Sequence, residues 1–293
     1  MTYKTTSWTG ALAMSTFVLL WGSAAIFTRW ALDHCSVFAI LTLRYSLALG
    51  ALLVIGLPNR RWLPKPGTRG LVAGTGLLLI GSYSVCYFQA IAHGVTPGLL
   101  ATLLGIQPIL TLLLTERRFS TWRLLGLLLS LAGLLLSLAG LMLVVYQSLM
   151  QAKLSIMGLA FAFGGLLSMT VGALLQKRVQ QTPSEVLPLQ YLVALLLCLG
   201  LVPFESFHAE ASPGFLIPLL YLGLVVSVGA QLLLYRLIRT GNLVNVTSLF
   251  YLVPVVTVTL DYLVFGNAMP TLALLGMAAI LVGLAMVFRP PTH

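Results

Sequence analysis

The chain reads as one five-span membrane unit written twice. Segments about 146 to 150 positions apart overlay: Leu43-Arg44-Tyr45 on Leu189-Gln190-Tyr191, Gln107-Pro108 on Val253-Pro254, and the Gly126/Gly133 pair on Gly276/Gly283. An odd number of spans per copy sends the second copy into the bilayer from the opposite side. The expected fold is therefore all-α and integral to the membrane, with ten transmembrane helices arranged as two inverted five-helix repeats over residues 1–149 and 150–293. Inverted repeats are typical of secondary transporters, which bind substrate near the bilayer midplane where the halves meet.

Composition agrees. A chain that is 59% hydrophobic and 8% charged, with mean hydropathy +1.03, falls far below the roughly one-quarter charged content of soluble domains. The net charge of +10 is not clustered as a nucleic-acid footprint requires; it is spread through short connections, so no nucleic-acid partner is expected. Cys35, Cys86 and Cys198 have no metal or disulfide spacing and read as packing residues. No cofactor or metal is expected.

About 20 apolar residues cross the hydrocarbon as a helix. Ten such runs fall near 9–32, 36–57, 70–92, 98–115, 122–146, 154–176, 187–203, 214–238, 243–265 and 270–288. Thirteen of the 16 Lys and Arg residues lie on one side of the resulting zigzag, among them Arg60, Arg61, Arg117, Lys177, Arg239 and Arg289. Positive charge marks the cytoplasmic side, so both termini are expected there, in a bacterial inner (cytoplasmic) membrane. The first span is too long for a cleaved signal segment.

The order of motifs resembles the EamA-type branch of the drug/metabolite transporter superfamily. Leu20-Trp21-Gly22-Ser23, Arg44-Tyr45, the run Ala90 to Pro97, Gln107-Pro108 and Glu116-Arg117-Arg118 carry the likeness in the first copy. Tyr251-Leu252-Val253-Pro254 and Leu281-Val282-Gly283 carry it in the second. The resemblance implies efflux of amino acids or other small metabolites. Asn267 stands where that family commonly has Glu, and span 4 is about five residues shorter than its counterpart, span 9.

Candidate site residues follow from polarity at membrane depth. Pro108 and Pro254 lack an N–H and clash with the carbonyls of Leu104 and Phe250, which predicts paired kinks in spans 4 and 9 that serve as gates. Asn245, Ser248 and Tyr251 repeat at three-residue spacing on span 9, opposite Thr102 and near Gln107 on span 4. Span 8 offers Gln231 and Tyr235; span 3 offers Tyr83, Tyr87 and Gln89; span 1 offers Trp21, with Thr28 on the same face; span 6 offers Ser168. Such a wall suits a zwitterionic or aromatic molecule, and also a quaternary ammonium ion over aromatic faces. The bland alternative for each Ser and Thr is a bond to its own helix or a neighbour, worth about 0.6 kcal/mol.

Arg44 is the charge inside a span, about 12 Å below the end of span 2 at 1.5 Å per residue. It either attracts a substrate carboxylate or pairs with Asp33 and snorkels outward; the resemblance, in which Arg is common here whatever the substrate, favours the second. No Asp or Glu lies near the centre of a span. Proton antiport usually needs such a group, so transport down the substrate's gradient or exchange is expected. The heptad Leu128–Leu134, repeated as Leu135–Leu141, lines up small residues for helix packing.

No nucleophile–base pair or metal-protease motif is present, so the chain does not read as an enzyme. The reading is a secondary transporter exporting small metabolites such as amino acids by alternating access through a central cavity, as a monomer or weak homodimer in contact with lipid. The alternatives are a carrier of quaternary amines or lipid-linked sugars, and a non-coupled facilitator or channel.

Overall fold

The computed structural model describes residues 7–57, 62–95, 100, 103–104, 106–115, 121–122, 124–129, 132, 155–265 and 271–287. Its helices are α1 (Ser7–Leu32), α2 (Val37–Gly56), α3 (Arg69–Ala92), α4 (Gln107–Thr115), α5 (Ile156–Arg178), α6 (Pro183–Leu201), α7 (Pro213–Thr240), α8 (Leu243–Ser248), α9 (Leu252–Phe265) and α10 (Thr271–Val287). Six of them, α1, α2, α3, α5, α6 and α7, are long and apolar enough to cross a membrane. Among the described residues there is no strand, only an isolated antiparallel bridge between Cys35 and Ala209. The expected span at 122–146, with its duplicated heptad, lies largely outside the described residues.

Helices dominate because hydrocarbon offers backbone groups no partner, so each N–H and C=O must be satisfied within the segment. The surface is correspondingly apolar: Leu12, Leu114, Ile156 and Leu263 are all more than 60% exposed. Exposure on that scale around a bundle belongs to a lipid-facing surface rather than to water. The interior is packed with large side chains, including fully buried Phe17, Tyr45, Tyr191 and Tyr235.

Packing runs chiefly between the two copies. α2 lies on α6 and α7, α6 on α3, α5 on α3 and α4, and α1 on α7 and α9. Where α3 meets α6 the backbones approach so closely that a Cβ on Gly76 would stand 2.5 Å from Gln190 Cα. The same holds between α1 and α9, where a Cβ on Gly22 would meet Val256 Cγ1 at 2.7 Å. Glycine is required at both positions.

Two hydrogen-bonded straps fix how α2 and α6 run. At one face, Ser36 N–H donates to His208 O (2.9 Å) and Glu210 N–H to His34 O (3.0 Å), tying the α1–α2 connection to the α6–α7 connection. At the other face, Lys65 N–H donates to Gln181 Oε1 (2.7 Å) and Gln181 Nε2 to Thr68 Oγ1 (2.8 Å), tying the α2–α3 connection to the α5–α6 connection. α2 therefore leads from the first strap to the second and α6 leads back. The two helices are side by side and antiparallel, with the rings of Tyr45 and Tyr191 5.6 Å apart. Each tyrosine stands eight residues after the first residue of its helix.

α3 and α7 each contain a π-helical stretch, Leu77–Ser82 and Tyr221–Ala230. Tyr45 donates its hydroxyl to Ile80 O in the first (3.0 Å), and Tyr191 donates to Ser227 O in the second. The same kind of bond thus occurs in both copies, to a carbonyl 35 residues after the tyrosine in the first and 36 in the second. The expected kinks have local counterparts. Pro108 falls in the first turn of α4, after a turn at Ile106, and a 3₁₀ segment, Leu249–Tyr251, separates α8 from α9 just before Pro254. Phe250, whose carbonyl Pro254 leaves without an α-helical donor, lies in that 3₁₀ segment, where i→i+3 bonds tighten the chain.

Candidate functional site

α1, α2, α3, α6, α7 and the α8–α9 region, with Leu104 ahead of α4, enclose a cavity of about 80 Å³. Both copies contribute walls. Its polar groups are Thr28, Arg44, Ser84 and Gln231, and its aromatic ones are Trp21, Tyr83, Tyr87, Phe88, Tyr191 and Phe250.

One end of the cavity is closed by aromatic packing. Phe17, Trp21 and Phe250 contact one another with centroids 5.3 to 5.5 Å apart, and Phe250 meets both α1 rings edge-on. Thr257 adds a polar tie, donating to Gly22 O at 2.8 Å. Along the side wall, Tyr83 and Tyr87 lie 5.8 Å apart on successive turns of α3. Farther along α1, Phe27 stacks on Tyr221 at 4.0 Å, and Ser23 Oγ lies 2.6 Å from the Tyr221 hydroxyl.

Arg44 supplies the cavity's charge. Its Nε donates to Ser227 Oγ across the copy boundary (2.6 Å), and its guanidinium carbon stands 5.9 Å from the Tyr45 ring centroid. Asp33, the partner expected for it, instead pairs with Arg29 at 3.4 Å. The equivalent residue in the second copy, Gln190, turns to the α5 side and donates to Gln176 Oε1 at 3.0 Å. The two copies therefore differ by one charge at matching places.

Of the residues singled out in the sequence, Trp21, Thr28, Tyr83, Tyr87, Gln231 and Arg44 meet at the cavity. The others go elsewhere. Gln89 donates to Glu205 Oε2 (2.8 Å), whose other oxygen accepts from Val37 N–H (3.1 Å), so it fastens α3 to the start of α2. Gln107 is buried with both side-chain polar atoms lacking a hydrogen-bond partner. Ser168 is half-buried on α5 and Tyr235 fully buried on α7, both off the cavity. Asn245 N–H donates to Asn242 Oδ1 (3.3 Å), a bond within the first turn of α8. Ser248 is buried at the end of α8, and Tyr251 packs with Leu112, Leu127 and Ile280. Thr102 lies outside the described residues, and of Pro254 only its place in α9 is described.

Tyr191, Phe88, Phe250 and Ser84 line the cavity without having been singled out. The Tyr45/Tyr191 overlay was the signal available for Tyr191. Phe250 was hidden because a continuous helix would put Ser248 and Tyr251 on the inner stripe, and the 3₁₀ segment breaks that phase.

At the face carrying the first strap, the His34 ring nitrogen lies 3.1 Å from Glu210 Oε2, and donation from it holds the Glu210 carboxyl below its ordinary range, with His208 adding to the effect. Cys35 there is buried, donates to Ala31 O (3.0 Å), and its thiol is pushed up to about 12 by burial. At the opposite face Lys177 donates to Ile238 O (2.7 Å) and Gly241 O (2.5 Å), a cation set on the carbonyl end of α7.

These features define an integral membrane protein with an aromatic and polar chamber between its helices. The model of the EamA-like transporter family matches residues 8–139 and again 156–289, and the chain belongs to that family. It is thus a membrane transporter of the drug/metabolite type. A solved structure titled "Crystal structure of protein" is similar in fold, with a TM-score of 0.75 and 20% identity over 96% of this chain and 97% of that one. No curated protein matches the chain by sequence.

Proposed function

We propose that this protein exports small metabolites such as amino acids across a bacterial inner membrane, by alternating access through the central cavity of two inverted five-span repeats. The observation that carries the reading is the exchange of contacts between copies. Tyr45 on Ile80 is matched by Tyr191 on Ser227, and the strap between the α1–α2 and α6–α7 connections is matched, at the opposite face, by the strap between the α5–α6 and α2–α3 connections. Equivalent helices that lie antiparallel support a two-fold relation in the membrane plane. A cavity walled by both copies supports a site at their junction. In this reading the first strap faces outward and the Lys177 end of the bundle faces the cytoplasm, as the distribution of basic residues predicts. Asp33, Glu205 and Glu210 are engaged at the ends of helices, which supports movement down the substrate gradient or exchange.

Counterflow tests the reading. Purified protein in liposomes preloaded with unlabelled amino acids should accumulate labelled amino acid transiently and saturably; linear, unsaturable flux would sink it in favour of a channel. Topology has its own check. With Cys35, Cys86 and Cys198 replaced by Ser, a cysteine at Ser36 should label from outside intact cells and one at Gln181 only after permeabilisation. Labelling of both from one side would end the inverted-repeat reading.

A further inference from the structure

Resting on the carrier reading, we infer that Arg44 is the anion receptor of the cavity and that the substrate is a small monocarboxylate with an apolar body. Arg44 lines the chamber at membrane depth, where an unneutralised cation is expensive. Three of the carboxylates are engaged elsewhere: Asp33 with Arg29, Glu205 with Gln89 and Val37 N–H, Glu210 with His34. No carboxylate is among the described residues lining the cavity.

The guanidinium is held but not used up. A guanidinium has five N–H donors in a planar fork. Among the described residues the one hydrogen bond from Arg44 is Nε to Ser227, which leaves the terminal fork available. That bond anchors the guanidinium through Nε, and a free terminal fork is the group that takes a carboxylate through two parallel bonds.

The other walls set the rest of the molecule. The Tyr191 hydroxyl is spent on Ser227 O, so this residue presents its ring to the chamber. Trp21 and Phe250 close one end with carbon. A cationic amine would meet the guanidinium with no counter-charge beside it. A phosphate dianion would leave one negative charge unbalanced. One carboxylate balances the site, and the aromatic walls suit an apolar body.

A charge-matched set tests the inference: leucine, 4-methylpentanoate, which lacks its amine, and 3-methylbutylamine, which lacks its carboxylate. Binding to the purified protein is read by ligand-induced shifts in unfolding temperature and by displacement of labelled 4-methylpentanoate. 4-Methylpentanoate should bind most tightly, leucine less tightly because its ammonium has no counter-charge, and the amine at least tenfold more weakly than 4-methylpentanoate. In Arg44→Gln the affinity for the acids should fall at least tenfold while that for the amine does not fall, and Arg44→Lys should restore part of the loss. Equal binding of amine and acids, binding of none of the three, or unchanged acid affinity in a folded Arg44→Gln protein would overturn the inference. Should Arg44→Gln fail to fold, the ranking of the three ligands on the unaltered protein decides. Counterflow separates this claim from the one beneath it. Acid binding that depends on Arg44 without counterflow leaves the subsite standing and removes the carrier, whereas counterflow of the amine that ignores Arg44→Gln does the reverse.

Discussion

Tyr45 and Tyr191 give the sharpest test of the packing argument, because two effects of different size reside in one side chain. Each ring is almost completely buried, at 0% and 1% exposure, and each hydroxyl donates to a carbonyl in a π-helical stretch. Tyr→Phe removes the hydroxyl and keeps the ring. In membrane proteins an interhelical hydrogen bond contributes about 0.6 kcal/mol on average and up to about 1.7. Ile80 O also accepts from Tyr83 N–H, so the substitution does not strand it. Tyr45→Phe and Tyr191→Phe should therefore each cost about 1 kcal/mol. The pair should cost about 2, since the ring contact that couples the two sites survives in the double variant. Tyr45→Ala removes the ring as well and should cost about 3–5 kcal/mol through the cavity it leaves. Equilibrium unfolding of purified protein in mixed micelles, followed by the helical circular-dichroism signal, measures all four. Changes below about 0.3 kcal/mol for both Phe variants would refute the claim that these hydroxyls brace the π-helical stretches, and a Tyr45→Ala cost equal to that of Tyr45→Phe would refute the primacy of ring packing.

Three further outcomes are expected. Gly76→Ala places a carbon 2.5 Å from the Gln190 Cα, a backbone atom that cannot swing aside, and should lower stability by about 1–3 kcal/mol in the same unfolding assay, whereas Gly50→Ala, with open space around it, should not. Lys177→Met removes the donors to Ile238 O and Gly241 O and should cost about 1.5–3 kcal/mol, with faster hydrogen exchange in the last turn of α7. The Glu210 carboxyl titrates below its ordinary value in the folded protein because His34 donates to it. Its stabilising effect on the strap is thus complete above the unfolded value, about 4.5, and disappears as pH falls through the lower folded value. Protection of the Ser36 and Glu210 amides, corrected for intrinsic exchange, should decline over that acid range, and Glu210→Gln should abolish the dependence.

The spans were legible because bilayer thickness fixes apolar length. Runs expected at 9–32, 36–57 and 70–92 are helices at Ser7–Leu32, Val37–Gly56 and Arg69–Ala92. Side-chain direction was less legible, since it was read from unbroken α-helical phase. The stripe Asn245, Ser248, Tyr251 assumed 100° per residue, and the 3₁₀ segment at Leu249–Tyr251 turns Phe250 and Val253 to the cavity instead. The π-helical stretches in α3 and α7 shift phase for the same reason. Gln89 was misdirected by a different cause. Its partner, Glu205, is 116 positions away, and no reading of one helix at a time reveals such a bond.

Under the carrier reading net direction follows the substrate gradient, and a difference in rate between the two faces comes from the places where the exchange between copies fails. Two are visible. In the cavity, Arg44 in the first copy answers to Gln190 in the second, so a single positive charge sits off the line where Tyr45 meets Tyr191. At the faces, one strap includes a carboxylate–imidazole contact between Glu210 and His34, while the other is built from an amide side chain, a hydroxyl and backbone. The second has no titrating group in its bonds and the first does. Under the carrier reading, opening at a face requires its strap to part, so acid on the side of the first strap should favour opening there and leave the opposite face unchanged. Counterflow measured with acid on one side of oriented liposomes at a time should then accelerate from one side alone. Equal acceleration from both sides would mean that the straps do not gate.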